Sequence, residues 1–463
     1  MANICCFADT YDRLILIMRI KEENKMTTAF KTDQYELTML QAALSNGTAH
    51  KKAVFELFAR RLPTGRAYGV VTGTARAIEA AQNFHFTSEQ IGFLRSNKIV
   101  NEETIAYLEN YKFEGTIEGY REGDLFFPYS PILTVIGTFG DAVLLETVLL
   151  SIMNYDSAVG SAAARMVQAA HEIPVFELGS RRAHEEAAVA AARAAYIAGF
   201  MSTSNLEAGM KYGIPTMGTS AHAFTLAHET EIEAFQAQVD SLGVKTTLLV
   251  DTYDIEQGIR NAIKVAGSKL GAIRIDSGNL VEETFKARKL LDQLAAFGTK
   301  IILSSDIDEY IIDDLYRAHA PVAGIGAGTK VVTGSGHPTA GMVYKLVAIE
   351  GDDGIMRNVA KKAEGKISVG GRKNAYRIIN ASNQITEEVI MAGRNVTDVK
   401  LPTHTHKQEL IVTYMKDGKV VFAPTLDEIR DFHKKAIKQI GVNNTMLNPN
   451  TEPAVATRYE IGE

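Results

Sequence analysis

The stretch Ala272-Ile-Arg274-Ile-Asp276-Ser277-Gly278-Asn279-Leu280 runs from a short apolar strand into charge, hydroxyl and glycine, a pattern that puts reactive groups at a strand's mouth. Leu248-Leu-Val-Asp251-Thr-Tyr-Asp254, Ile301-Ile-Leu-Ser304-Ser-Asp306-Ile-Asp308 and Ala323-Gly-Ile-Gly326-Ala-Gly328-Thr329-Lys330 repeat it, with helical stretches between. Asp251, Asp276, Asp306 and Gly326 lie 25, 30 and 20 residues apart, the length of one strand-helix unit. Ligands of parallel α/β folds sit at the carboxyl ends of strands, so these ends should converge on one site.

Three upstream segments end in the same way. Val175-Phe-Glu-Leu-Gly179-Ser-Arg181-Arg182 leads into an alanine-rich helix at 183–198, and a cation between a strand's end and a helix's start is well placed for a bound anion. Gly199-Phe-Met-Ser-Thr-Ser204-Asn205 and Ile214-Pro-Thr-Met-Gly218-Thr-Ser-Ala-His222 are two more small-residue strand ends. His222 reads either as a helix-capping histidine or as a functional one, and its Gly-Thr-Ser loop shifts the balance toward function. The mouth thus gathers carboxylates (Asp251, Asp254, Asp276, Asp306), cations (Arg181, Arg274), His222 and the glycine backbone of Gly326 and Gly328, which lets amides approach a phosphate. No spacing reads as a permanent metal cage. Carboxylates facing a phosphate loop suit a Mg²⁺ that arrives with a pyrophosphate or triphosphate.

The elements that must position these groups follow from size and texture. A chain of 463 residues divides into two or three domains, and 46% hydrophobic with 22% charged residues is a globular composition. The formal charge of -6 gives no global reason to bind nucleic acid, so an anionic ligand must be held locally. Cys5 and Cys6 are adjacent and the only cysteines, which excludes a disulfide framework and favours a reducing, cytoplasmic setting. No apolar run approaches the roughly 18 residues of a membrane span.

The expected fold is α/β: a barrel-like (TIM-type) domain at 138–345 with an additional α+β domain built from N- and C-terminal segments. Residues 1–25 read as a frayed extension. Residues 26–137 form the α+β domain, with a helix from Thr32-Asp33-Gln34-Tyr35, a strand Ala53–Phe58 closed by Arg60-Arg61, and a small antiparallel unit from Thr116 to Val135. Residues 346–463 carry hairpins at Asp352-Asp353-Gly354 and Asp417-Gly418, a final helix over 427–440 and a loose tail from Asn443, packing on the N-terminal domain. The cations Lys361, Lys362, Lys366, Arg372 and Lys373 read as a solvated face, and Tyr35 as a packing residue.

Several blocks also resemble the nicotinate phosphoribosyltransferase family. They are Thr32-Asp-Gln-Tyr-Glu-Leu-Thr-Met, Phe55-Glu-Leu-Phe with Arg60-Arg-Leu-Pro, Glu177-Leu-Gly-Ser-Arg-Arg-Ala-His, Gly218-Thr-Ser-Ala-His, Val250-Asp-Thr-Tyr-Asp, Arg274-Ile-Asp-Ser-Gly and Gly326-Ala-Gly-Thr, in the family's order. The resemblance implies an enzyme of NAD biosynthesis that joins nicotinate to 5-phosphoribosyl 1-pyrophosphate, coupled in a ligase-type reaction to ATP hydrolysis through a phosphohistidine. It further implies a homodimer with sites built from both subunits, and Mg²⁺ with the substrate pyrophosphate.

Residue by residue, the resemblance gives His222 as phosphate acceptor, Asp251 as its orienting partner, and Arg181 and Arg274 on the nicotinate carboxylate or nearby phosphates. Ser204 lies beside the pyridine, and Tyr35 stacks on it from the neighbouring subunit. Asp276 and Asp306 take ribose hydroxyls or the Mg²⁺-pyrophosphate with Ser277 adjacent, and Gly326, Gly328 and Thr329 take the 5′-phosphate. Met201-Ser202 departs from the glycine the family more often shows before Thr-Ser-Asn. The alternatives are a nicotinamide- or quinolinate-using transferase, a barrel aldolase acting through Lys330 or Lys345, and a silent phosphoribosyl pyrophosphate-binding protein. Two arginines and a serine favour an acidic ring substituent over a neutral amide.

Overall fold

The computed structural model describes residues 27–361, 368–392, 401–441, 447 and 451–461. The extension 1–25, Lys362, Lys366 and residues 443–446, 448–450 and 462–463 of the tail lie outside the described residues.

The N-terminal part contributes β1 (Lys52–Ala59), β2 (Gly69–Val70), β3 (Thr116–Tyr120), β4 (Leu125–Phe126) and β5 (Leu133–Thr138). The middle contributes β6 (Val175–Glu177), β7 (Ser202–Thr203), β8 (Thr247–Leu249), β9 (Ala272–Ile275), β10 (Lys300–Ser305) and β11 (Gly324–Ala327). The C-terminal part adds β12 (Met342–Glu350), β13 (Met356–Asn358), β14 (Lys373–Asn380), β15 (Ile385–Ala392), β16 (Thr405–Glu409), β17 (Ile411–Lys416), β18 (Lys419–Val420) and β19 (Ala456–Ile461).

Six middle strands form one parallel sheet in the order β7-β6-β11-β10-β9-β8. Read around, that order is the chain order of a barrel with its seam between β7 and β8. Thr216 adds a parallel bridge to Thr203 at this seam, and the Arg274 guanidinium crosses it to the Thr219 hydroxyl at 2.6 Å. Leu248, Ile273, Ile275, Ile301, Leu303 and Ile325 are buried in the barrel core, while the alternate positions Arg274 and Ile302 turn to the other face and line a cavity.

A seven-stranded antiparallel sheet, β13-β12-β1-β5-β3-β17-β18, puts N-terminal strands at the centre and C-terminal hairpins on both edges. The helix Glu146–Ala170 joins the two bodies. Val148, Leu149 and Met153 of its first half pack in the N-terminal core, and Val159, Ala163, Met166 and Ala170 of its second half pack in the barrel core. Small residues at 162–164 allow the close approach. No helix among the described residues is long and apolar enough to cross a membrane.

The C-terminal segment departs from expectation in four places. The boundary at 345 falls inside β12, which pairs along β1. The helix spans Leu426–Ala436 followed by a short 3-10 turn, and it packs on the barrel helix Glu185–Ile197 as well as near the N-terminal domain. Ala456–Ile461 is a strand parallel to β15, not loose tail; its partner lies about 70 residues upstream, a pairing that local pattern does not announce. Finally, Lys373 is buried against the Glu56 carboxylate at 2.8 and 3.0 Å, and Arg372 makes a bidentate pair with Glu118. Those two cations therefore tie strands together, and Lys361 alone of the described cluster is exposed and unengaged by a carboxylate.

Candidate active site

A cavity of about 460 Å³ opens at the carboxyl ends of β6–β11, and the sequence-predicted Arg181, Ser204, Arg274, Asp276, Asp306, Gly326, Gly328 and Thr329 all line it. Parallel strands in register deliver these side chains to one end, as the repeated strand-to-polar pattern demands.

Beneath the rim, Asp251 follows β8 with its carboxylate 1% exposed. Its Oδ2 accepts from the Asp276 amide at 2.9 Å and the Ser277 hydroxyl at 2.7 Å, and its Oδ1 has no hydrogen-bond partner among the described residues. Ser277 thus spends its hydroxyl on Asp251. The other carboxylate, Asp276, accepts from the buried Ser304 hydroxyl at 2.6 Å. His222 opens a five-residue helix whose capping position is Ala221, so the ring caps nothing. Its Nε2 lies 3.8 Å from Asp276 Oδ2 and 4.0 Å from Asp251 Oδ1, and its Nδ1 lies 3.2 Å from the Thr252 hydroxyl.

On the opposite wall, Arg181 sits exposed on the 3-10 turn Ser180–Arg182. Arg274 projects inward from β9, half-buried, its Nε without a hydrogen-bond partner among the described residues. Burial lowers the Arg274 pKa, Asp276 and Asp251 pull it back up, and Arg181 adds to the lowering; a guanidinium keeps its charge in proteins. The Ser204 amide donates to Glu177 O at 2.9 Å, holding that loop against β6. Gly326 leaves room for Leu178: a Cβ there would lie 2.3 Å from Cδ1 at the end of that side chain.

Not every expected member lines the cavity: His222, Asp251 and Ser277 adjoin it beside Asp276 without lining it, and others lie apart. Asp254 accepts from the Gln257 amide at 2.8 Å as the cap of the helix Ile255–Ala266, and it does not line the cavity. Its position three residues before Gln257 is the signal for that role. Tyr35 is 48% exposed on the helix Gln34–Ser45 and lies outside the cavity of its own chain. Lys330 reaches Asp308 at 3.8 Å and Lys345 reaches Glu146 at 4.0 Å; burial lowers the Lys345 pKa, but neither amine lines the cavity.

Sequence reasoning did not single out Leu178, Arg182, Thr219 and Ser304, which also line the cavity. For Leu178 the signal is the strand's period of two, which turns Phe176 and Leu178 to the same face. No group of three or more His, Cys, Asp or Glu among the described residues could hold a metal unaided.

Comparisons with known proteins agree with this geometry. Residues 30–154 match the nicotinate phosphoribosyltransferase (NAPRTase) N-terminal domain, and residues 173–391 match the NAPRTase family. The chain is 47% identical over 445 residues to nicotinate phosphoribosyltransferase pncB1 of Mycobacterium tuberculosis, covering 94% of this chain and 96% of the relative. It is 40% identical over 403 residues to nicotinate phosphoribosyltransferase of Bacillus subtilis, covering 83% and 82%. The structure of human nicotinic acid phosphoribosyltransferase superposes with a TM-score of 0.78 at 24% identity, over 93% of this chain and 97% of that one, a likeness of fold.

Proposed function

The chain belongs to the nicotinate phosphoribosyltransferase family, and from that premise we propose that the cavity over β6–β11 joins nicotinate to 5-phosphoribosyl 1-pyrophosphate, giving nicotinate mononucleotide and pyrophosphate in NAD biosynthesis. The observation that carries this is one cavity lined by Arg181, Arg274 and Ser204 together with Gly326, Gly328 and Thr329, groups suited to a ring carboxylate and to a sugar phosphate.

In the reaction the pyridine nitrogen bonds to the anomeric carbon as the bond to pyrophosphate breaks, through an oxocarbenium-like state. No strong nucleophile has to be generated, so the protein's task is orientation and charge stabilisation. Arg181 and Arg274 hold the carboxylate, Ser204 flanks the ring, and Asp276 and Asp306, with Ser277 adjacent, face the ribose hydroxyls. Both aspartates offer the hard oxygens Mg²⁺ prefers, and they would share the ion with pyrophosphate oxygens. Bound there, Mg²⁺ supplies neutralising charge to the leaving group.

ATP enters through His222. One ring nitrogen attacks the γ-phosphorus, ADP leaves, and later hydrolysis returns histidine and inorganic phosphate. The added negative charge biases affinity between donor and product, which lets ATP drive a reversible transfer. Asp251 orients the ring, a role supported by its buried, unpartnered Oδ1 facing His222.

We further infer a homodimer in which Tyr35 stacks on the partner's nicotinate. Its exposure supports this, as do the bare apolar side chains near the mouth, Leu206 at 76% and Leu226 at 60%. The reading carries a cytoplasmic location, where ATP and the ribose donor are made.

The test is pyrophosphate release from 5-phosphoribosyl 1-pyrophosphate and Mg²⁺ with nicotinate, nicotinamide and quinolinate in turn, with and without ATP. Turnover with nicotinate, raised by ATP, is expected. Turnover with another pyridine would overturn the assignment of Ser204 and the arginines, and silence with all three would leave a binding protein.

A further inference from the structure

We propose that Glu177 is a positioning residue that sets the span between Arg181 and Ser204, and with it the enzyme's hold on the acidic pyridine. The inference rests on the nicotinate reading of the cavity.

Glu177 ends β6 and is 1% exposed. Its Oε1 accepts from the Gly179 amide and its Oε2 from the Thr203 hydroxyl at 2.5 Å, and its own backbone carbonyl accepts from Ser204. The Thr203 hydroxyl in turn accepts from the Asn205 amide at 3.0 Å, and the Asn205 side chain donates to the Ser180 hydroxyl at 3.1 Å. These contacts close a ring from β6 to β7 and back to the turn that carries Arg181. One carboxylate thereby fixes both loops that present the carboxylate-binding arginine and the ring-flanking serine.

Two observations separate this from ordinary packing. Glu177 pairs with no cation among the described residues, and burial pushes its pKa above the ordinary carboxylate value. A buried, unpaired carboxylate is a liability that an apolar residue of similar volume avoids. Space is also reserved for it: a Cβ at position 179 would lie 2.9 Å from Glu177 Oε1 and 2.3 Å from Val332 Cγ1, so the turn can approach only as glycine. None of the ring's hydrogen bonds is made to Gly326, Gly328 or Thr329, and Gly179 meets the Gly328 carbonyl only by packing, so the effect should fall chiefly on the pyridine.

The experiment is steady-state kinetics on Glu177→Gln, Thr203→Val and Thr203→Ser, varying nicotinate and 5-phosphoribosyl 1-pyrophosphate separately, with melting curves alongside. Glu177→Gln and Thr203→Val should each raise the nicotinate KM about tenfold, the value of a lost buried hydrogen bond to a charged group. The donor KM should stay within about twofold. Thr203→Ser, which keeps the hydroxyl, should bind nicotinate as the parent does, and the Gln/Val double variant should be no worse than either single one. An unchanged nicotinate KM in both variants would overturn the proposal, as would both KM values rising together with a fall in Tm. A parent enzyme silent toward nicotinate would overturn the reading beneath it as well, which tells the two failures apart.

Discussion

Asp251 Oδ1 faces His222 Nε2 across 4.0 Å, buried and without a hydrogen-bond partner among the described residues, while Oδ2 of the same carboxylate is fully engaged. A free acceptor held at that distance is poised to close on the ring once Nε2 carries a proton. Asp251→Asn keeps the volume and removes the charge. ATP stimulation of nicotinate turnover should fall about tenfold or more in this variant, the usual loss for a charge-assisted contact. Transfer of label from the γ-phosphate of ATP to protein should fall with it. His222→Ala should abolish the label entirely, and label persisting in that variant would place the acceptor elsewhere.

Arg274 lies inside the barrel mouth with Nη1 on Thr219, and among the described residues its Nε has no hydrogen-bond partner and its guanidinium no ion pair, so it can take a carboxylate directly. Replacing it with Gln should raise the nicotinate KM by about 10- to 100-fold, as for a lost charge-assisted pair, and change the nicotinamide KM little. Equal losses for both pyridines would mean that Arg274 serves the donor phosphates instead.

Much of this site is legible in the chain because each strand end states its own chemistry. Apolar runs ending at Asp276, Asp306 and Gly326 give both the barrel and its functional end. Asp254 shows the limit: a carboxylate just past a strand also satisfies a helix's first amides, and its distance to Gln257 decides for the cap. Lys373 and Arg372 mislead for a different reason. Their partners Glu56 and Glu118 lie more than 250 residues away, and charge pairing at that separation leaves no local pattern. β19 is hidden in the same way. Glu177 was visible only as a member of a motif, since its ring of contacts needs two strands in register.

The floor of the cavity depends on Gly326. A Cβ 2.3 Å from Leu178 Cδ1 must push β11 or Leu178 aside, and overpacking of this kind costs about 1–3 kcal/mol. Gly326→Ala should therefore lower stability toward urea and raise the KM for 5-phosphoribosyl 1-pyrophosphate, because the displaced strand end leads into Gly328 and Thr329. A stable variant with normal donor KM would show that Leu178 simply turns away.

The final prediction concerns pH. Glu36 is buried beside Tyr35 and accepts from the Thr147 amide at 2.9 Å, the Thr147 hydroxyl at 2.5 Å and the Thr32 hydroxyl. Burial pushes its pKa up to about 7 from 4.5, the hydrogen bonds from Thr147 and Thr32 only moderating the rise. A carboxyl raised in the folded state takes up a proton on folding between these two values. Stability therefore falls as pH climbs from about 4.5 to about 7, by up to about 1.4 kcal/mol per unit, and levels off above. Gln at this position mimics the protonated form, offering its carbonyl to Thr147 and its amide to Thr32. Urea unfolding from pH 5 to 8 should show Glu36→Gln gaining on the parent as pH rises from 5 to about 7 and keeping that gain above, and curves that stay parallel would show Glu36 ionised in the fold throughout.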